Sequence, residues 1–264
     1  MIILLDLGNT RIKIGWIVKN NKKIYREKEV IIFNNNDYLS IRKWIFSLTK
    51  KPTHIFGSNV AGNAIGKIIN NEFKKIGCNI HWLVPSYKKY KLLNKYLTPS
   101  QLGTDRWCSM LGIVNKLSVP HPPLLIISFG TATTIDSIDA INNFIGGLII
   151  PGINTMKISL NKATNLPIIC QSNILNFPKN TNQAISSGII FSHSGTIIRQ
   201  WINMIEQFHE PPTIYVTGGL WPEIKKELIT QFKIINKLFN KNIKIIYKER
   251  AVLDGLYIIA EKYI

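Results

Sequence analysis

Two short stretches of this chain combine residue types suited to phosphate chemistry. Asp6-Leu7-Gly8-Asn9-Thr10-Arg11-Ile12-Lys13 follows one apolar run and Ser128-Phe129-Gly130-Thr131 follows another, with Gly8 and Gly130 lying 122 positions apart. In such a turn a glycine lets backbone N–H groups approach a phosphate closely, Asn9 and Thr10 add donors, and Lys13 can neutralise charge. Asp6, at the end of an apolar strand, is an oxygen ligand for Mg²⁺, directly or through water. The competing reading is a plain hairpin turn, because Gly-Asn is common turn chemistry. An acid closing a buried strand weighs against it. Because the turn joins strand to strand, neither the P-loop pattern nor the dinucleotide pattern applies; both need a helix after the glycines.

A third stretch, Gly103-Thr104-Asp105-Arg106-Trp107, joins a tyrosine-bearing loop to a helix. Asp105 is placed to accept a proton from an alcohol, and Arg106 to pair with a substrate carboxylate. Equally, Asp105 can be a helix N-cap with Arg106 solvated. Tyr96 either lines a pocket or packs, and Thr181 either caps the helix it precedes or touches ligand. Gly218-Gly219 offers backbone for adenine or ribose to lie against, or is an ordinary strand-to-helix turn. Asp254-Gly255, inside the last helical pattern, reads as structural.

The elements that must hold these residues follow from periodicity. Ile2–Leu5 is a short apolar strand, Arg11–Val18 alternates, and Glu27–Phe33 is a third strand. Asp37 caps a helix presenting Ile41, Trp44, Ile45 and Leu48 at helical spacing. A strand at Thr53–Gly57, a helix at Asn63–Ile76, a strand at Ile80–Val84, a loop from Pro85 to Gly103 and a helix from about Arg106 complete the first half. The second half repeats the plan. Strands at Leu124–Phe129, Thr133–Ala140 and Phe144–Ile149 lead to a helix after Gly152 and a Pro-rich loop around Leu166–Pro178. A long helix at Thr181–Phe208, a strand at Thr213–Val216, a helix, a strand at Ile243–Tyr247 and a helix from about Arg250 follow. We therefore expect two duplicated α/β domains, residues 1–118 and 119–264, with ligands between them where both glycine turns point.

Composition narrows the class. With 264 residues, 45% of them hydrophobic, the chain can bury a core in each half. No apolar run nears the roughly 20 residues of a membrane span, and Asp6 interrupts the start too early for a signal-peptide core, so a cytoplasmic protein is expected. Cys78, Cys108 and Cys170 form no C-x-x-C pair and read as reduced core thiols. The net charge of +18 raises nucleic acid as a partner. However, the lysines are dispersed among many Ile and Asn residues, including Asn34 to Asn36, with no accompanying motif, and attraction for anionic substrates is the simpler reading.

Together the D-x-G-N-T start, the G-x-D-R-W centre, G-T-A-T-T, GGLIIPG and a late T-G-G resemble type III pantothenate kinases, in particular the Bvg accessory factor-like branch. The resemblance covers essentially the whole chain. It implies two ribonuclease-H-like domains of the acetate and sugar kinase/Hsp70/actin superfamily and a homodimer. It also implies ATP-dependent phosphorylation of pantothenate, the first step of coenzyme A synthesis. By position, it gives ATP phosphate binding to Asp6 through Lys13 and to Thr131, with Mg²⁺ at Asp6. Pantothenate is given to Tyr96, Gly103, Thr104, Asp105 and Arg106, with Asp105 as proton acceptor and Thr181 near the dimer interface. Many members carry Asp where this chain has Ser128, an acid associated with a monovalent cation, K⁺ or NH₄⁺. The serine leads us to expect weak or absent dependence on that cation. A non-catalytic accessory protein on the same fold and a kinase for another small alcohol stand as alternatives.

Overall fold

The computed structural model describes residues 1–21, 23–163, 172–239 and 243–264. The chain divides into two compact units, residues 118–249 and a first unit built from residues 1–117 together with 250–264.

In the first unit, β1 (Ile2–Leu7) is buried at every position, which explains an apolar run that only Asp6 interrupts. It forms a hairpin with β2 (Arg11–Asn20), pairing Asp6 with Lys13. The strand expected at Glu27–Phe33 is instead two, β3 (Lys23–Arg26) and β4 (Ile31–Asn34), both paired with β2. The break has an electrostatic cause. Glu27 turns inward and its carboxylate accepts from the Trp16 N–H at 3.1 Å and from Arg26 at 2.8 Å, so the chain cannot continue as a strand. Asp37 caps α1 (Tyr38–Phe46) as expected, accepting from the Ser40 N–H. Then come β5 (His54–Asn59), parallel to β1, α2 (Asn63–Lys74) and β6 (Ile80–Trp82). The long loop contains a small hairpin, β7 (Lys88–Lys89) with β8 (Leu92–Asn94), and a 3₁₀ turn before α3 (Thr104–Val114). The main sheet runs β3-β2-β1-β5-β6.

The second unit repeats this order. β9 (Leu124–Phe129) and β10 (Ala132–Ile138) form a hairpin, extended by β11 (Asn143–Pro151). After α4 (Ile153–Ala163) and the long α5 (Thr181–Phe208), β12 (Thr213–Thr217) pairs parallel with β9. α6 (Trp221–Phe239) and β13 (Ile245–Tyr247) follow, giving the order β13-β12-β9-β10-β11. The core between sheet and helices includes Phe129, Ile135, Ile197, Trp201, Trp221 and Phe232. Among the described residues, no helix is long and apolar enough to cross a membrane. Cys78 and Cys108 are buried free thiols; Cys170 and the start of the Pro-rich loop lie outside the described residues.

The last helix, α7 (Ala251–Ala260), lies in the first compact unit. A division at 118/119 gives it to the second domain, whereas it belongs to the first unit and packs on α3. Two glycines let the helix backbones meet. A Cβ on Gly255 would lie 1.9 Å from the Cys108 carbonyl oxygen, and one on Gly112 would lie 2.7 Å from the Ala251 carbonyl. Arg26 ties the start of α7 to the sheet through Asp254 at 2.6 Å, and Arg250 donates to the Glu27 carbonyl at 2.8 Å.

Candidate active site

In the first unit, the hairpin register puts Lys13 beside Asp6, with Nζ 3.9 Å from Oδ2. Asp6 is only 7% exposed, whereas Asn9 and Thr10, on the turn just past the end of β1, face solvent. Burial is the largest influence on Asp6 and raises its pKa from 3.8 to about 6; Lys13 opposes the rise and Asp105 adds to it. A buried carboxylate with one cation at nearly 4 Å is short of positive charge.

The start of α3 supplies the groups expected for acceptor chemistry. Gly103 occupies the N-cap without a side-chain bond, so Asp105 is not the cap. Its Oδ1 accepts from the Arg106 N–H at 2.7 Å. Burial raises the Asp105 pKa, against the Arg106 N–H, the Arg106 guanidinium and Lys13, which all favour the anion. Arg106 is not a solvated surface residue. It is 5% exposed, and its Nη1 donates to the Tyr96 hydroxyl at 3.2 Å. Tyr96 is held in turn by the buried Asn94, whose side-chain oxygen accepts from the Tyr96 N–H at 3.0 Å. One turn along α3, burial and then the charges of Asp6 and Asp105 push the Cys108 thiol well up. Asp6, Lys13, Asp105 and Cys108 thus belong to one electrostatic neighbourhood, gathered from β1, β2 and α3.

The second unit's turn is a shorter copy. Gly130 N–H donates to the Ala132 carbonyl at 3.1 Å, where Gly8 N–H reaches one residue further, to Arg11, at 3.0 Å. Two glycines from the expected motifs pack behind it. A Cβ on Gly152 would lie 2.2 Å from the Gly130 carbonyl; Gly218 has φ +98° and would place a Cβ 2.3 Å from the Phe129 carbonyl. Gly218 therefore answers to packing, while Gly219 has open space around its Cβ position. Thr131 is exposed, and its carbonyl accepts from the Gly152 N–H at 3.0 Å and the Thr155 hydroxyl at 2.6 Å. Thr181 is the first residue of α5, but the cap is Asn180, which accepts from the Gln183 N–H at 3.0 Å.

The donor sets differ in their fit to cations. Among the described residues no three His, Cys, Asp or Glu side chains are placed to hold a metal ion together. Asp6 fits Mg²⁺ in the way that ion is held in phosphoryl-transfer sites, by one or two carboxylates plus phosphates and water. Ser128 pairs in register with Thr134 and Thr217, and the buried Thr134 hydroxyl has no partner. These aligned side chains offer neutral oxygen alone.

Sequence reasoning missed Asn94, Glu27 and Gly112, whose signals are a buried amide, a buried acid and a backbone approach visible only in three dimensions. The chain matches the family profile described as type III pantothenate kinase over residues 2–203. It is 38% identical over 260 residues to the type III pantothenate kinase of Bordetella bronchiseptica, covering 98% of this chain and 97% of that protein. The Bordetella petrii type III pantothenate kinase is 39% identical over 261 residues, with 98% and 97% covered. Among solved structures, a Baf family protein from Campylobacter jejuni superposes with a TM-score of 0.60 at 20% identity, covering 99% and 98% of the two chains. An exopolyphosphatase from Cytophaga hutchinsonii superposes with 0.56 at 7% identity, over 99% and 98%. These structural likenesses, at 20% identity or less, give the fold alone. On the family match and the near-full-length identity, the chain belongs to the type III pantothenate kinase family.

Proposed function

We propose that this chain transfers the γ-phosphoryl group of ATP to the primary hydroxyl of pantothenate, giving 4'-phosphopantothenate and ADP, the first step of coenzyme A synthesis. The observation that carries this reading is the grouping of a buried, charge-deficient Asp6 with Asp105 and an Arg106 fixed by Tyr96. Asp105 accepts the hydroxyl proton as the oxygen attacks the γ-phosphorus. Its raised pKa makes it a stronger base than an ordinary aspartate. Arg106, with its planar fork, pairs with the pantothenate carboxylate, and Gly103, Thr104 and Tyr96 line the same end of the substrate. Asp6 through Lys13 receives the ATP phosphates, with Lys13 neutralising charge. Bound at Asp6, Mg²⁺ supplies charge neutralisation on those phosphates. Thr131, on the second unit's turn, is assigned to the nucleotide phosphates, and Thr181 to pantothenate in a homodimer. With Ser128 offering only a neutral oxygen, activity does not depend steeply on K⁺ or NH₄⁺. The protein works in the cytoplasm, and its positive charge serves anionic substrates.

Replacing Asp105 with Asn tests the assignment. The variant retains the size and the acceptor for the Arg106 N–H but cannot take a proton. Turnover should fall by about 10²-fold or more with the fold intact; near-normal kcat overturns the role. A coupled ATPase assay with and without pantothenate separates the accessory-protein reading, which expects silence, from a kinase for another alcohol, which expects stimulation by that alcohol alone.

A further inference from the structure

Asn34-Asn35-Asn36 reads in the sequence as compositional drift, yet Asn35 is built into the first glycine turn. Its side-chain Nδ2 donates to the Gly8 carbonyl at 3.4 Å and also to the Asn9 carbonyl, and its backbone N–H donates to the Thr10 carbonyl at 3.0 Å. The remaining carbonyls of the segment are also engaged: Leu7 accepts from the Val60 N–H and Arg11 from the Gly8 N–H, each at 3.0 Å. The amide orientation is set by these partners, since a flipped side chain would put its oxygen against two carbonyl oxygens. In a planar trans peptide the C=O and N–H point in opposite directions. Drawing the Gly8 and Asn9 carbonyls toward Asn35 therefore turns the N–H groups of Asn9 and Thr10 the other way, on a stretch whose side chains are exposed. Successive N–H groups turned to one side form an anion-binding concavity.

We infer that Asn35 is the positioning residue of the phosphate turn: by holding the Gly8 and Asn9 carbonyls from behind, it aims the backbone N–H groups of Asn9 and Thr10 at the nucleotide's phosphates. Asn35 itself touches no phosphate. The inference rests on the proposed role of Asp6 through Lys13. It predicts that the effect of losing Asn35 follows the phosphate part of the nucleotide and not the adenosine part or pantothenate.

Asn35→Asp is the sharpest test. It keeps the shape and the backbone bond to Thr10, but it replaces the donor with a carboxylate facing two carbonyl oxygens. In the full-length protein with Mg²⁺, the KM for ATP should rise at least tenfold. The KM for pantothenate and the calorimetric affinity for adenosine should stay within twofold. Asn35→Ala, which adds no charge, should raise the KM for ATP several-fold, and it carries the prediction if the aspartate variant does not fold. An ATP KM within twofold of wild type overturns the inference, as does a parallel loss of adenosine or pantothenate affinity. Lys13→Ala separates the two ideas. If it weakens ATP while the Asn35 variants do not, the inference about Asn35 alone fails. If ATP binding is indifferent to Lys13 as well, the phosphate-turn reading fails with it.

Discussion

Asp6→Asn should make the metal- and nucleotide-free protein more stable at neutral pH while destroying its activity. In the fold, burial raises the Asp6 carboxyl from 3.8 to about 6, so ionising it there costs about 3 kcal/mol more than in the unfolded chain. The sign follows from proton counting. Between about pH 4 and 6 the folded protein retains a proton that the unfolded chain has released, so stability from this group falls as pH rises through that window. Below about pH 4 both states are protonated and the full stability is present; above about pH 7 both are ionised and the loss is complete. Asparagine cannot ionise and removes this dependence. Lys13 loses its partner in the variant, but at 3.9 Å, with the lysine side chain 37% exposed, that pair offsets well under about 1 kcal/mol. The expected net gain is about 2–3 kcal/mol at pH 7.5, falling to about 1 kcal/mol or less at pH 4.5. Urea unfolding of both proteins across that range, with chelator present, measures it. A difference that does not change with pH, or a variant less stable than wild type at pH 7.5, would refute the reasoning.

Gly255→Ala should destabilise the first unit by about 1–3 kcal/mol or more and lower kcat, because α3 must retreat from a methyl group directed at the Cys108 carbonyl and takes Asp105 with it. Thermal melting and steady-state kinetics together check this, and wild-type values for both would remove the helix contact from the account. Across a K⁺ series at constant ionic strength, turnover should vary less than about twofold, since Ser128 offers no charge to offset the cation's dehydration; a steep K⁺ requirement would show that neutral oxygens suffice.

Much of the fold was legible because strand runs and glycine turns are local signals. β9 begins and ends at the expected residues, as does α5, and Asp37 caps α1. The failures share a cause: they depend on distant partners. Glu27 looks like a strand residue until Arg26, Arg250 and the Trp16 N–H converge on it. Gly218 looks like ligand space until the Phe129 carbonyl is found beneath it. At the candidate site the reactive residue types were readable, but the residues that aim them, Asn35 and Asn94, were not, and Gly255 was readable only as structural, without the contact that it makes. Asn35 and Gly255 act through atoms far away in the chain, whereas Asn94 acts inside its own loop through a buried amide.

The return of residues 250–264 to the first unit has a consequence for how the protein is made. During synthesis, the sheet bearing Asp6 and Lys13 emerges first, yet α3 lacks its α7 partner until the last helix has left the ribosome. Residues 118–249 form a contiguous unit and can fold while the earlier segment waits. Joining α7 to α3 closes a loop of more than a hundred residues, a contact of high sequence separation that forms late and slowly. A nascent chain stalled before Ala251 should therefore hold a folded second unit beside an incomplete first one, and limited proteolysis of such stalled chains should cut residues 1–117 preferentially.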